Sequence, residues 1–292
     1  MLQPQATADG SYTFYSPEFR ETFHSRSGAQ EEALGKFVYP CRLGELASQV
    51  EEITLLDVCY GLGYNSAAAL TAIRERNPHC FVRLRALERD RQVPQAALEQ
   101  GLLADYPPAV VRDLTALIEG GAIQTANLEA RIFWDCARRS LPRIVASGFR
   151  ADAIFLDPFS PPKCPQLWTV EFIALLAQCL KPTGLLATYS CAAAVRTALG
   201  LSGLTVGPGP QVGRRSPGTL ASFDPTLVPP LSPAEREHLH TQAAVPYRDP
   251  SLTDDPETIH RRRQGEQAQS PHLEPTRQWK RRWHEQPLEN AL

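Results

Sequence analysis

Four acidic residues lie where predicted β-strands end. The runs "ITLLDV", "CFVRLRALE", "ARIFWDC" and "ADAIFLD" are strand-like, and Asp57, Glu88, Asp135 and Asp157 lie at or near their carboxyl ends. In open α/β sheets, ligands bind in the crevice beyond the carboxyl ends of the strands. We therefore expect these carboxyl groups to meet at one edge of a sheet and to contact a ligand there.

Glu88 and Asp135 have the chemistry of a nucleoside site. An acid at the end of the second strand can accept hydrogen bonds from both ribose hydroxyls, and Asp135 can accept one from an exocyclic adenine amine. The separation of Glu88 from Gly63 is close to the roughly 20 residues expected of a nucleotide-binding fold. Each acid is alternatively a solvated strand end, but acids at three consecutive strand ends without a pyrophosphate motif favour S-adenosylmethionine over NAD.

The segment "LLDVCYGLGYN" connects the first strand to a helix. Gly61 and Gly63 follow Asp57 in this segment, and glycine lets the backbone approach a ligand closely. Two glycines are equally typical of a tight strand-to-helix turn. The loop therefore supports a cofactor site only together with the acidic strand ends.

The segment "FLDPFSPPKCPQLW" follows the fourth strand and contains four prolines. Asp157 ends the strand beside the expected position of the reactive end of the nucleoside. The prolines restrict the loop, so its polar atoms stay in place when an acceptor arrives. Phe159 and Trp168 are candidates for the wall of an acceptor site; alternatively, this is a rigid surface turn with Trp168 in the core.

Strands alternate with helices from residue 46 to about residue 225, which predicts a mostly parallel sheet covered on both faces. We expect seven strands, the last two forming an antiparallel hairpin at one edge because their connection is too short for a helix. Residues 1–45 are predicted to form an N-terminal extension containing a hairpin. Residues 226–292 are rich in proline and polar residues and predict an extended tail with at most one helix.

Composition limits the function classes. The 292 residues carry a net charge of −2, so a contact with nucleic acid must use local basic patches. The seven cysteines include no Cys-x-x-Cys pair, which disfavours a zinc site or a disulfide scaffold and favours a reducing compartment such as the cytoplasm. We find no signal-peptide pattern and no membrane span.

Four motifs resemble one family, the S-adenosylmethionine-dependent methyltransferase part of the bifunctional tRNA 5-methylaminomethyl-2-thiouridine biosynthesis protein and its stand-alone relatives. The motifs cover residues 9 to about 223 and are "DGSYTFYS" with "HSRSGAQEEA", "DVCYGLGYN", "DPFSPPKCPQLWT", and "ATYSCAAAVRTALGLSGLTV" followed by "GRRSPG".

The resemblance implies a Rossmann-like class I methyltransferase fold and the use of S-adenosylmethionine as methyl donor, without a metal or FAD. It implies a tRNA wobble uridine with a 5-aminomethyl group as substrate and Asp157 as the catalytic residue. The implied cofactor-binding residues are Asp57, Tyr60, Gly61, Gly63, Asn65, Glu88 and Asp135. The implied substrate-binding residues are Glu32, Phe159, Lys163, Trp168, Arg214 and Arg215.

The chain also departs from the family pattern. Cys59 replaces a usual loop glycine, which predicts a turn that avoids a glycine-only conformation at that position. Cys164 replaces a usual Asn. No G-x-G-x-x-G motif of a flavin-dependent oxidase is present, so we expect methylation without removal of a carboxymethyl group.

Two further functions remain open at this stage. One is methylation of another amine, in a small molecule or a protein, and the other is RNA binding without catalysis. The basic runs "HRRR" (260–263) and "RQWKRRW" (277–283) are candidate RNA contacts, or else simply solvated. No obligate protein partner is evident.

Overall fold

The computed structural model describes residues 2–213 and 216–284. The strands are β1 (Pro4–Ala6), β2 (Tyr12–Ser16), β3 (Glu21–Thr22), β4 (Glu52–Val58), β5 (Phe81–Glu88), β6 (Ala122–Gln124), β7 (Leu128–Trp134), β8 (Ala151–Leu156), β9 (Leu180–Thr188), β10 (Thr205–Pro208) and β11 (Thr219–Ser222). The α-helices are α1 (Ala29–Glu32), α2 (Leu43–Ala47), α3 (Tyr64–Arg76), α4 (Gln92–Glu99), α5 (Pro108–Gly120), α6 (Ala137–Ala146), α7 (Val170–Gln178), α8 (Ala193–Leu201), α9 (Pro233–His238), α10 (Pro256–Ala268) and α11 (Thr276–His284). The alternation predicted for the central part of the chain is confirmed.

The central sheet has eight strands in the order β10–β11–β9–β8–β4–β5–β7–β6. Strand β4 pairs in parallel with β5 on one side and with β8 on the other, so the strand order reverses at β4 and opens a crevice beyond its carboxyl end. The predicted antiparallel hairpin is β10 with β11. The eighth strand, β6, was not predicted; it follows Gly121 at the end of α5 and pairs antiparallel with β7.

Helices cover both faces of this sheet because the strands are apolar on both faces. Along β4, Ile53 and Leu55 belong to one hydrophobic cluster, whereas Leu56 and Val58 belong to the other. Helices α3 and α5 contribute to the first cluster, and α6, α7 and α8 contribute to the second. This two-sided burial fixes the carboxyl ends of β4, β5, β7 and β8 relative to one another.

The N-terminal residues form a separate three-stranded antiparallel sheet, β1–β2–β3, followed by α1 and a π-helix (Ala33–Val38). The segment "GKFVYP", whose aromatic and β-branched residues are typical of strands, is therefore mostly helical. Packing outweighs the strand propensity of this segment: Phe37 is buried, and its ring centroid lies 5.6 Å from that of Phe155 on β8. The π-helix thereby carries its neighbouring residues to the carboxyl end of β8.

The prediction of an extended C-terminal tail is also wrong. Residues 233–284 contain α9, α10 and α11, and Ile259 on α10 is completely buried. Arg263 donates hydrogen bonds to two carbonyl oxygens of the preceding segment, so polar side chains hold together a fold that apolar periodicity does not reveal. The boundaries near residues 45 and 225 remain predictions, and no helix of the described residues is long and apolar enough to cross a membrane.

A buried ion pair attaches this segment to α6. The carboxylate of Asp249 is fully buried, lies 2.6 Å from the Arg138 guanidinium, and accepts hydrogen bonds from the backbone N–H groups of Thr253 and Asp254. We expect Asp249→Ala to lower the free energy of unfolding by about 3–5 kcal/mol, because it leaves a buried charge without its partner. Denaturant unfolding checks this value.

The matched control is Glu257→Ala, which removes an exposed pair with Arg261. Such pairs contribute about 0–1 kcal/mol. Equal effects of the two substitutions would show that Asp249 does not anchor the C-terminal segment.

Candidate active site

A cavity of about 520 Å³ opens beyond the carboxyl ends of β4, β5, β7 and β8. Residues of the β2–β3 turn and of the loop after β8 close it from above, and the π-helix forms one side. Its size is that of a small-molecule site rather than of a packing defect. The crevice predicted from the strand order is therefore present as an enclosed pocket.

Three of the four acidic strand ends converge on this cavity as predicted, and the fourth does not reach it. Glu88, Asp135 and Asp157 line it, whereas Asp57 lies beneath it with no exposed surface. Asp57 accepts a hydrogen bond of 2.6 Å from the Ser66 hydroxyl, and burial raises its pKa to about 7. Asp57 thus connects the end of β4 to the first turn of α3.

Glu88 holds the glycine loop against β5. One carboxylate oxygen accepts a 2.8 Å hydrogen bond from the Gly61 N–H, and the other accepts one of 2.8 Å from the Asp90 N–H. Burial raises the pKa of Glu88 although these donors favour its charged form. The carboxylate is consequently fixed in orientation, with remaining acceptor capacity for ligand hydroxyls.

Asp135 lies at the end of β7, further along the same edge. Arg139 pairs with it through a hydrogen-bonded salt bridge, which lowers the pKa of Asp135. The carboxylate is therefore ionised at neutral pH and can accept a hydrogen bond from a ligand amine.

The loop after β4 makes its turn with left-handed residues. Gly61 has φ of +56° and Gly63 has φ of +93°, and a Cβ atom on Gly63 would lie 2.7 Å from the Tyr60 hydroxyl. Cys59 has φ of +69°, in the left-handed region that favours glycine but that other residues can adopt, so the turn keeps its left-handed shape at this position without a glycine. A non-glycine residue in this region is strained by about 1–3 kcal/mol, which the surrounding contacts must offset.

The remaining predicted loop residues act from outside the cavity wall. Tyr60, Gly63 and Asn65 do not line the cavity; Asn65 instead donates a 2.9 Å hydrogen bond from Nδ2 to Oδ2 of Asp157. The Tyr60 hydroxyl and Oδ1 of Asp57 are buried without a hydrogen-bond partner in the described residues. The carboxyl groups of Glu88, Asp135 and Asp157, which do line the cavity, fit a polar ligand that carries positive charge.

Asp157 is the carboxyl group nearest the acceptor loop. Its backbone N–H donates to the Val58 carbonyl oxygen, which ties it to the end of β4. Burial raises the pKa of Asp157 to about 8, and the negative charges of Glu32 and Asp57 add to this effect. Entry of a cation into the cavity favours ionisation of this group.

Of the predicted acceptor residues, Phe159 and Glu32 line the cavity. The Phe159 ring stacks on Phe19 at a centroid distance of 4.2 Å and meets Phe23 edge-on at 5.0 Å. Phe19 and Phe23 belong to the N-terminal sheet region, and no spacing pattern in the sequence links them to Phe159. An aromatic wall is thus built from two distant parts of the chain.

The other predicted acceptor residues lie elsewhere. Trp168 is fully buried and its indole N–H donates to the Phe159 carbonyl oxygen, so it supports the loop instead of contacting a ligand. Lys163 is exposed outside the cavity wall. Arg214 and Arg215 lie outside the described residues.

Two residues of the site were not predicted from the sequence. Glu21 accepts hydrogen bonds from both the backbone N–H and the hydroxyl of Ser160, which fastens the N-terminal turn to the acceptor loop. Lys36 lines the cavity and forms a buried ion pair with Glu32. The i, i+4 spacing of Glu32 and Lys36 was the available signal for the second of these.

The fold and the site define a Rossmann-like class I methyltransferase. The family model described as S-adenosyl-L-methionine-dependent methyltransferase matches residues 99–224. The crystal structure of MnmC2 from Aquifex aeolicus is similar, with 32% sequence identity and a TM-score of 0.81 over 92% of this chain and 86% of that one. The chain belongs to the MnmC-like family of S-adenosyl-L-methionine-dependent methyltransferases, which confirms the resemblance and the predicted fold class.

Two curated relatives differ in length. An uncharacterized protein of Methanocaldococcus jannaschii is 28% identical over 85% of this chain and 67% of its own length. The tRNA 5-methylaminomethyl-2-thiouridine biosynthesis bifunctional protein MnmC of Burkholderia vietnamiensis is 30% identical over 78% of this chain but only 35% of its own length. The chain therefore spans about a third of the bifunctional relatives.

The geometry of Glu88 predicts its effect on cofactor binding. In Glu88→Gln, an amide N–H₂ replaces one oxygen and opposes a backbone N–H donor. We expect the affinity for S-adenosylhomocysteine to fall by about 1–3 kcal/mol, measured by titration calorimetry. Glu99→Gln on the exposed end of α4 is the control, and equal affinities for both variants would exclude Glu88 from the cofactor site.

The raised pKa of Asp157 predicts a pH dependence of stability. The folded protein binds this proton more tightly than the unfolded chain, so the free energy of unfolding falls as pH rises from about 4 to about 8. Asp157→Asn lacks this proton and still accepts the hydrogen bond from Asn65. Its stability relative to wild type should rise by about 1–3 kcal/mol between about pH 5 and about pH 8.5.

Denaturant titrations of both proteins across this pH range measure the difference. Asp57, whose pKa is also raised, is present in both proteins, so only its coupling to Asp157 enters the difference. Parallel stability curves would mean that Asp157 is ionised throughout.

Proposed function

We propose that this protein transfers a methyl group from S-adenosylmethionine to the amine of 5-aminomethyluridine, or its 2-thio form, at the wobble position of tRNA. The observation that carries the proposal is the half-buried carboxyl group of Asp157, which lines the cavity together with the aromatic wall and the other acidic strand ends. The bifunctional relatives are named for tRNA 5-methylaminomethyl-2-thiouridine biosynthesis, which supports tRNA as the substrate.

The cavity residues divide into two groups along the sheet edge. Glu88 and Asp135 lie at the ends of β5 and β7 and have the acceptors that ribose hydroxyls and an adenine amine require. Asp157 lies at the end of β8, on the opposite side of β4. S-adenosylmethionine, when bound, would supply an electrophilic methyl group near the end of β8, where Asp157 lies.

Asp157 acts on the acceptor amine. Its ionised carboxylate accepts a hydrogen bond from the amine and orients the nitrogen lone pair toward the methyl group. As nitrogen bonds to the methyl carbon and the carbon–sulfur bond breaks, the carboxylate stabilises the charge on nitrogen and accepts the released proton. A pKa of about 8 is close to the pH at which such a base is most effective.

The acceptor base must leave its stack to reach this carboxyl group. Phe159 is the stacking surface for the extruded uracil, as single-stranded RNA recognition commonly uses aromatic side chains. Phe19 lies 4.2 Å from Phe159, which leaves no room for a base between the rings. Binding therefore displaces the β2–β3 turn or places the base against the outer edge of Phe159.

Phosphate contacts come from exposed cations close to the cavity mouth. Arg20 is exposed within the β2–β3 turn, and Lys163 is exposed on the acceptor loop. The basic run on α10 contributes less than expected, because Arg262 and Arg263 are bonded to backbone carbonyl oxygens. On α11, Arg277, Lys280 and Arg281 are exposed and remain candidates for RNA contact.

Other parts of the proposal follow from the family and the sequence. Methyl transfer from S-adenosylmethionine, as proposed here, uses neither FAD nor a metal. We place the protein in the cytoplasm, where tRNA is its macromolecular partner. It leaves 5-carboxymethylaminomethyluridine unchanged, because removal of the carboxymethyl group is an oxidation.

The test is methyl transfer by the purified protein to bulk tRNA that carries 5-aminomethyluridine, followed by nucleoside mass spectrometry. We expect conversion to 5-methylaminomethyluridine, and single-turnover transfer by Asp157→Asn should fall about 100-fold or more with nearly unchanged cofactor affinity. Asp152→Asn, at the opposite end of the same strand, is the control. Cofactor binding without transfer to any tRNA would contradict the proposal and favour another amine substrate or a non-catalytic RNA-binding role.

A further inference from the structure

The cavity wall contains a buried ion pair that the proposed methyl transfer does not use. Nζ of Lys36 lies 2.6 Å from Oε1 of Glu32, and the two side chains are 1% and 8% exposed. Burial acts to raise the pKa of Glu32, but the Lys36 ammonium, the Ser25 N–H and His24 together lower it below its ordinary value. Because a buried ion pair is at best a weak source of stability, its presence in a ligand cavity points to a binding role.

Lys36 has hydrogen-bonding capacity that the described residues do not use. An ammonium group has three donors, and Glu32 is its only hydrogen-bond partner in the described part of the chain. The side chain is almost completely buried yet lines the cavity. The unused donors are therefore available to a ligand and shielded from bulk water.

The position of Lys36 indicates which part of the cofactor it meets. Glu88 and Asp135, on the β5 and β7 side of β4, are the acceptors for the ribose and the adenine. The π-helix packs on the other side, where Phe37 contacts Phe155 one strand position before the end of β8. A cofactor whose adenosine lies on β5 and β7 extends its amino-acid end toward Lys36.

The charges that line the cavity indicate which group of the cofactor Lys36 binds. The amino-acid end of S-adenosylmethionine carries an ammonium and a carboxylate, and the acidic residues of the cavity repel the carboxylate. Among the described residues, Lys36 and Arg89 are the cations that line the cavity. Arg89 is next to Glu88 in sequence and pairs with Glu18 at 2.5 Å, so it lies at the adenosine side.

We infer that Lys36 binds the α-carboxylate of S-adenosylmethionine, with Glu32 positioning the Lys36 ammonium. The adjacent opposite charges of the pair match those of the zwitterionic amino-acid end. This inference rests on the use of S-adenosylmethionine by the family, and it does not depend on the identity of the methyl acceptor.

Binding measurements on intact protein without tRNA test it. We expect wild type to bind S-adenosylhomocysteine about 10- to 100-fold more tightly than its decarboxylated form, the scale of one charge-assisted hydrogen bond. Lys36→Met should lose this preference by weakening only the binding of S-adenosylhomocysteine. Lys181→Met, whose ion pair with Asp152 lies at the opposite edge of the sheet, should keep it.

The double variant Glu32→Gln/Lys36→Met guards against misfolding, because it leaves no unpaired charge in the cavity. It should fold and bind both ligands with similar affinity. Equal affinity of wild type for the two ligands, or an unchanged preference in both variants, would overturn the inference. A different result is that Lys36→Met loses the preference for S-adenosylhomocysteine while the wild-type protein methylates an unrelated amine. That result would overturn the proposed substrate but support the role of Lys36.

Discussion

Burial of several carboxyl groups at one edge of the sheet is the constraint on which the site depends. Burial raises the pKa values of Asp57, Glu88 and Asp157, and their negative charges oppose one another. Ser66, Gly61 and Asn65 each donate a hydrogen bond to one of them, which offsets part of the cost of desolvation. A ligand with positive charge offsets more, so its binding should also stabilise the fold.

The acceptor loop is held from three directions, and its prolines are only part of the reason for its rigidity. Glu21 binds Ser160 from the N-terminal turn, and the Trp168 indole binds the Phe159 carbonyl from the core. On the outer side, Nε2 of His260 on α10 lies 3.0 Å from the Pro162 carbonyl oxygen. The C-terminal helices thus act on the site through the backbone of the loop and not through direct contact with a ligand.

Sequence patterns were sufficient for seven of the eight strands of the central sheet and for its acidic edge. Apolar strands that end in acids place those acids together once the strands are parallel, which is why Glu88, Asp135 and Asp157 could be located in advance. The C-terminal helices could not be predicted, since their stability comes from contacts such as Arg138 with Asp249 and not from an apolar stripe. Trp168 was predicted to contact the substrate because its loop resembles the family motif, but the sequence does not show which way the side chain points.

The π-helix makes the ligand site sensitive to the deletion of a single codon in the gene. Its backbone closes wider rings than an α-helix, as the bond from the Tyr39 N–H to the Leu34 carbonyl oxygen shows, and it therefore accommodates an additional residue. An in-frame deletion of one codon here would restore a regular helix. It would also rotate the following residues by about 100° relative to those before, so Lys36 and Phe37 could not both keep their places beside Glu32 and Phe155. Such a deletion would leave the helix content almost unchanged but would weaken ligand binding.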